Sequence, residues 1–168
     1  LNGMKNGQGI FILSDGNKYY GDWKNGKMEG QGIFTYKNGD IYDGEFLNGM
    51  KNGQGIFTLS DGNKYDGDWK NDTKDGQGKF TFGNGDKYIG GWKNGKMEGQ
   101  GIFTYKNGDA YDGDWKNDTK DGQGTLFYIN GDKYIGKWTE DQRVGDGEIN
   151  YANGDRYDGN WENDTKDG

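Results

Sequence analysis

Gly32-Ile33-Phe34-Thr35-Tyr36-Lys37-Asn38-Gly39-Asp40-Ile41-Tyr42-Asp43-Gly44-Glu45-Phe46 sets the architecture of this chain. Large side chains alternate with small or polar ones on both sides of Lys37-Asn38-Gly39, the period-two signature of two strands around a turn. Parity chooses the turn length. A two-residue Asn-Gly loop pairs Tyr36 with Ile41 and puts Phe34 and Tyr42 on opposite faces. A three-residue loop pairs Tyr36 with Asp40 and Phe34 with Tyr42, so that Phe34, Tyr36, Tyr42 and Phe46 share one face. Burial of one face requires the second register, because a slip of one residue turns every side chain over. Gly39 is then expected in the left-handed conformation of a bulged turn, where a Cβ is costly.

The same pattern recurs outward in both directions. Tyr19, Tyr42, Tyr65, Tyr88, Tyr111, Tyr134 and Tyr157 follow one another at a single constant interval. Each is followed two residues later by glycine and four residues later by an aromatic: Trp23, Phe46, Trp69, Trp92, Trp115, Trp138 and Trp161. A Gly-x-Gly pair follows, as at Gly30/Gly32 and Gly99/Gly101, and a turn glycine preceded by Asn or Asp closes the set. The units run 1–23, 24–46, 47–69, 70–92, 93–115, 116–138 and 139–161, with 162–168 opening an eighth. A period of this length marks an array in which each unit must stack on its neighbours, since an isolated hairpin is marginal in water. Two strands per unit give fourteen in seven units. Gly32 and Gly44 fall opposite each other on the aromatic face, where their lack of side chains is expected to make room for Trp and Tyr in a bent sheet. The tyrosine hydroxyls are expected at a groove edge, in reach of water. Near-identity over longer blocks (1–23 with 47–69, Lys24–Asp40 with Lys93–Asp109) presents almost equivalent surfaces at successive steps.

Composition bounds the chemistry. The 168 residues carry a net charge of −7 and 35 glycines, with no His, Pro or Cys. Leu, Ile and Val are scarce, with Val144 the only valine, a poverty that reads as disorder until the 15% of aromatics is seen to keep a fixed beat. Absence of His and Cys removes Ser-His-Asp and Cys-His nucleophiles and imidazole or thiolate metal sites, so no catalytic residue, metal site or cofactor is expected. Dispersed basic residues in an acidic chain argue against nucleic acid and against anionic lipid. No apolar stretch has the length of a membrane span. The chain begins at Leu1, as a fragment or processed product would.

Tyr-x-Gly-x-Trp-x(6)-Gly-x-Gly-x(6)-Gly, seen from Tyr19 through Gly39, resembles the MORN repeat over the whole chain. The resemblance implies an all-β fold, an elongated single-layer twisted antiparallel sheet of stacked hairpins with a groove. It also implies a non-catalytic scaffold that binds other proteins in cytoskeletal or ciliary assemblies, with a cytoplasmic, cytoskeleton-associated setting. Some proteins similar to it work at membranes or are joined to lipid-kinase or lysine-methyltransferase domains. Departures are Phe46 for Trp, Leu126 and Ile149 for Phe, and an irregular connector at Thr139–Val144.

Candidate surfaces follow. The aromatic row Tyr19, Trp23, Tyr42, Phe46, Tyr65, Trp69, Tyr88, Trp92, Tyr111, Trp115, Tyr134, Trp138, Tyr157 and Trp161 must supply the core, and its exposed edges are the candidate protein-binding groove. The opposite face carries Asp43, Asp66, Asp112 and Asp158, with Asp22, Glu45, Asp68 and Asp114 two positions on, and reads chiefly as a solvated face. The connectors at Asn71–Gly76 and Asn117–Gly122 echo a calcium loop but lack its closing bidentate acid, since Phe82 and Tyr128 stand there. They are also Asn-x-Thr sequons, glycosylated only on a eukaryotic secretory route. Self-assembly through exposed edge strands is the alternative function, and peripheral phospholipid association a second alternative.

Overall fold

The computed structural model describes residues 3–167. The chain divides into two compact units, residues 1–83 and 84–168. The first contains β1 (Gly7–Ile12), β2 (Lys18–Lys24), β3 (Lys27–Thr35), β4 (Ile41–Leu47), β5 (Met50–Thr58), β6 (Lys64–Lys70) and β7 (Thr73–Thr81). The second contains β8 (Lys87–Lys93), β9 (Lys96–Thr104), β10 (Ala110–Lys116), β11 (Thr119–Phe127), β12 (Lys133–Thr139), β13 (Gln142–Asn150), β14 (Arg156–Glu162) and β15 (Thr165–Asp167). Within each unit every strand pairs antiparallel with the next in sequence, in stacked hairpins. No helix occurs among the described residues, and none is long and apolar enough to cross a membrane. The fifteenth strand comes from the partial eighth repeat, one more than the fourteen of seven units.

The three-residue loop holds. Phe34 faces Tyr42, Thr35 faces Ile41, and the Tyr36 amide donates to Asp40 O at 2.9 Å. Gly39 has φ +94°, and its amide donates back to Tyr36 O at 3.0 Å.

The connectors are themselves largely strand. Lys24–Gly30 is not a loop between units: the chain turns at Asn25-Gly26 and enters β3 at Lys27. Both turn residues have positive φ, 50° and 79°, the type I′ geometry whose twist matches the flanking strands. Asn71-Asp72 and Glu140-Asp141 take the same shape without glycine, so the irregular connector of Thr139–Val144 still turns like the others. A second left-handed glycine, Gly30 at φ +62°, lies within β3, where the register against β2 shifts between Gly21 and Asp22. From β2 to β13, seven-residue strands therefore alternate with nine-residue bulged ones.

The glycine pairs have a more local cause than a bend. Gly44 and Gly55 face each other beneath Tyr42. A Cβ on Gly44 would sit 2.6 Å from Gln54 O and closer still to the Gly55 Cα. A Cβ on Gly55 would strike the Tyr42 ring and hydroxyl. The tyrosine lies flat over a floor made of backbone.

Candidate partner-binding face

Alternation places Tyr42, Gly44 and Phe46 of β4 on one side and Asp43 and Glu45 on the other, and the pattern repeats along both units. Tyr19, Tyr42, Tyr65, Tyr88, Tyr111 and Tyr134 are fully enclosed. Phe46, Trp69, Trp92, Trp115, Trp138 and Trp161 are buried as well, whereas Trp23 and Tyr157 are half-buried. The rings form an edge-to-face zipper. In the first unit Tyr19 meets Trp23 and Phe46, each at 5.1 Å, and Tyr42 meets Phe46 at 5.1 Å and Trp69 at 5.4 Å. In the second, Tyr111 lies between Trp115 at 5.3 Å and Trp138 at 5.2 Å, and Tyr134 between Trp138 at 5.3 Å and Trp161 at 5.0 Å. Each such pair is worth about 0.5–1.5 kcal/mol beyond the area it buries.

The hydroxyls are not at a groove edge. Tyr42 donates to Glu45 O at 2.9 Å, Tyr65 to Asp68 O at 2.9 Å and Tyr19 to Asp22 O at 3.0 Å. The acceptor is always the carbonyl three residues on, next to the register shift of the bulge. Trp69 and Trp115 likewise donate their indole N–H to Gly55 O and Gly101 O, each at 3.0 Å. No buried side-chain polar atom among the described residues lacks a partner. Burial raises the Tyr19 hydroxyl from the ordinary 10 to about 12, with the Asp22 carboxylate adding to the effect. Tyr134 also reaches about 12, through burial opposed by the Arg143 guanidinium. Burial pushes Tyr42, Tyr65, Tyr88 and Tyr111 upward in the same way.

What a partner would meet is the layer over this floor. Phe34, Tyr36, Phe57, Tyr105, Leu126 and Tyr128 are half-buried. Cations stack among them: the Lys51 ammonium lies 4.5 Å from the Phe57 centroid and 4.6 Å from that of Trp69. Lys120 lies 4.8 Å from Trp138, and the Arg143 guanidinium carbon 4.3 Å from Trp161. Desolvation lowers the Lys51 ammonium against the opposing pull of Asp72. In the first repeats, Phe11, Leu13, Tyr19, Trp23, Met28 and Phe34 line a cleft of about 300 Å³ with Lys5 at its edge.

Both rims are tied from repeat to repeat. On the three-residue-loop rim, Asp40 accepts the Ser60 amide and Asp109 the Ile129 amide, each at 2.8 Å. The Ser60 amide, with the Asn38 side chain, holds the Asp40 carboxyl below its usual range. On the I′ rim, Asp72 accepts the Lys51 amide at 2.8 Å and returns its own amide to Lys51 O at 3.0 Å. Asp118 binds the Met97 amide at 2.8 Å in the same manner. Asp72 and Asp118 of the calcium-like connectors thus serve as struts between turns. Among the described residues no group of three or more acids could hold a metal ion.

The opposite face spends some of its acids on the bulge: Glu45 accepts the Gln54 amide at 3.1 Å, Asp68 that of Gln77 at 2.6 Å and Asp114 that of Gln123 at 2.7 Å. Asp43, Asp66 and Asp112, one position after tyrosine, are exposed. The row of cations escaped the sequence reading. Its interval is visible there (Lys51, Lys74, Lys120 and Arg143, with Met28 and Met97 at the same step), but its face is not, because the left-handed glycine at Gly30 and its counterparts breaks the alternation that would assign one.

No curated protein matches the chain significantly. Among solved structures, it is similar to the SAS-4 (dCPAP) TCP domain of Drosophila melanogaster in complex with a proline-rich motif of Ana2 (dSTIL). The identity is 13%, the TM-score 0.58, and the match covers 92% of this chain and 84% of that one. The TCP10c domain of Drosophila melanogaster Sas-4 gives 12% identity and a TM-score of 0.53, with 93% of each chain covered. At such identities the likeness is one of fold. The MORN repeat model matches residues 1–18, 19–41, 42–64, 65–87, 88–110, 111–133, 134–156 and 157–168, and every frame after the first opens at a tyrosine of the row. With its repeats covered from end to end, the chain belongs to the MORN-repeat family.

Proposed function

We propose that this chain is a non-catalytic scaffold module of a cytoskeletal assembly, acting in the cytoplasm and holding partner proteins against the aromatic faces of its sheets. The observation that carries this reading is the layer of half-buried aromatics and stacked cations over a floor already satisfied internally. The Tyr and Trp row is the rigid base of that surface, and Trp23, Tyr157 and the covering Phe and Tyr residues supply its contact area. Rigid aromatics bind at low entropic cost, since little freedom is left to lose. The family resemblance implies scaffolding in cytoskeletal and ciliary assemblies. The fold neighbour in complex with a proline-rich motif supports an extended protein segment as the occupant.

Titration of the full chain with a proline-rich peptide, followed by tryptophan emission, tests this. A saturable change that Tyr36→Glu and Tyr105→Glu weaken about tenfold is expected. Binding that ignores both substitutions would place the partner elsewhere.

A further inference from the structure

The second side chain of each long strand recurs once per repeat on the aromatic face: Met28, Lys51 and Lys74 in the first unit, Met97, Lys120 and Arg143 in the second. Each cation lies over a ring, 4.6 Å from Trp69 for Lys51, 4.7 Å from Phe80 for Lys74, 4.8 Å from Trp138 for Lys120 and 4.3 Å from Trp161 for Arg143. The strand acids fall on the other parity, as Asp43, Glu45, Asp66 and Asp75 do, so tyrosine hydroxyls apart the ionisable side chains of the strands on this face are all basic. The nearby acids stand at the rim, where Asp72 and Asp118 bind the Lys51 and Met97 amides and Asp164 pairs with Arg143 at 2.9 Å. In a chain of net charge −7, this face is where negative charge would be received.

The spacing selects the conformation of what binds. Each repeat contributes two strands, so successive cations within a unit are about 9.6 Å apart at about 4.8 Å per strand. Three residues of a polyproline II helix span about 9.3 Å at about 3.1 Å per residue. A β-strand returns to the same side every ~6.6 Å and an α-helix every ~5.4 Å, and neither keeps step. On the long strands both units run methionine, cation, cation, and Lys5 before the first methionine and Lys166 after Arg143 extend the row at the same step, 4.5 Å from Trp23 and 4.7 Å from Tyr157. The first methionine lines the 300 Å³ cleft walled by Phe11, Leu13, Trp23 and Phe34, with Lys5 at its edge.

We propose that each unit takes a polyproline II segment laid across its strands, with an apolar residue at the methionine step and an acidic residue three and six positions away at the two cations. This rests on the reading that the aromatic face receives the partner, and adds a three-residue charge code to it.

The test uses the full chain and fluorescein-labelled Pro-Pro-Leu-Pro-Pro-Glu-Pro-Pro-Glu and its reversed sequence, by fluorescence anisotropy. A peptide of the same composition with its glutamates adjacent and one with Gln for Glu serve as comparisons. One of the two spaced orientations should bind about fivefold tighter than either comparison, the scale of one or two partly exposed charge pairs. Lys51→Met combined with Lys120→Met should remove most of that advantage, weakening the spaced glutamate peptides more than the Gln peptide. Other repeats carry Met at this step, which keeps the variant folded, as its circular dichroism should show. Equal binding of all four peptides, or an advantage that survives the double substitution, would overturn the code while keeping the face as a binding surface. Binding of none would remove both.

Discussion

Along β4 and β5 the same strands build two faces that follow different rules. On one, Phe34, Tyr42, Phe57 and Tyr65 stand in register from strand to strand, and the pattern continues as Phe103 with Tyr111 and Leu126 with Tyr134. On the other, the row Ile33, Asp43, Ile56, Asp66, Lys79 mixes apolar, acidic and basic residues in the same register. The difference lies in what each side chain must satisfy. Tyrosine needs a glycine floor, a carbonyl three residues on and two flanking rings, and a substitution breaks all of them at once. In the outer row from Ile33 to Lys79 the side chain carries no such set of demands, whereas two positions on Glu45, Asp68 and Asp114 are held to accepting the bulge amides.

Alkaline titration should open the widest gap between the faces. The enclosed tyrosines hold their protons above the ordinary 10, with Tyr19 and Tyr134 near 12. The folded chain therefore binds more protons than the unfolded one above pH 10. Stability is full below that and falls as pH rises toward 12, by up to about 2–3 kcal/mol for each of these two residues. Tyrosinate absorbance and loss of β circular dichroism should rise together in this window. Tyrosinate appearing near pH 10 in a chain that stays folded would mean that the ladder is wet. Next in size, Gly44→Ala should cost about 3 kcal/mol, because the added Cβ meets backbone at Gln54 and Gly55 that cannot step aside. A urea midpoint close to that of the parent would show that the glycine floor yields. The smallest effect belongs to the outer row: Asp66→Ile should move the midpoint by no more than about 0.5 kcal/mol equivalent, and a larger loss would mean that this face carries structure of its own.

The hairpin register was open to reading because Lys37-Asn38-Gly39 is flanked by unbroken alternation, and parity leaves one solution that buries a face. The connectors hid for an opposite reason. Asn25-Gly26 carries a hairpin signal, but the left-handed glycine at Gly30 breaks the alternation after it, and Asn71-Asp72 adopts positive φ with no glycine to announce it. The tyrosine acceptor was equally out of reach: Glu45 O is available because the register shifts beside it, a consequence of pairing rather than of composition. The aromatic row was legible as core, and its covering layer only in part. Phe34 and Tyr36 follow from the strand pattern, whereas placing Lys51 or Arg143 requires knowing that the connector is strand.

The rim struts and the ring zipper each join a residue to its counterpart in the next repeat and reach no further. Length in such a molecule is quantised. Excision of residues 42–64 would bring Trp69 into the slot of Phe46 against Tyr19 and offer the Gly83 amide to Asp40 in place of Ser60, so every joint is remade. A cut one residue shorter or longer would turn the following strands over and set tyrosines toward water. Insertions and deletions are tolerated by whole repeats, and a lineage of such chains should differ in length by whole multiples of the interval from Tyr19 to Tyr42.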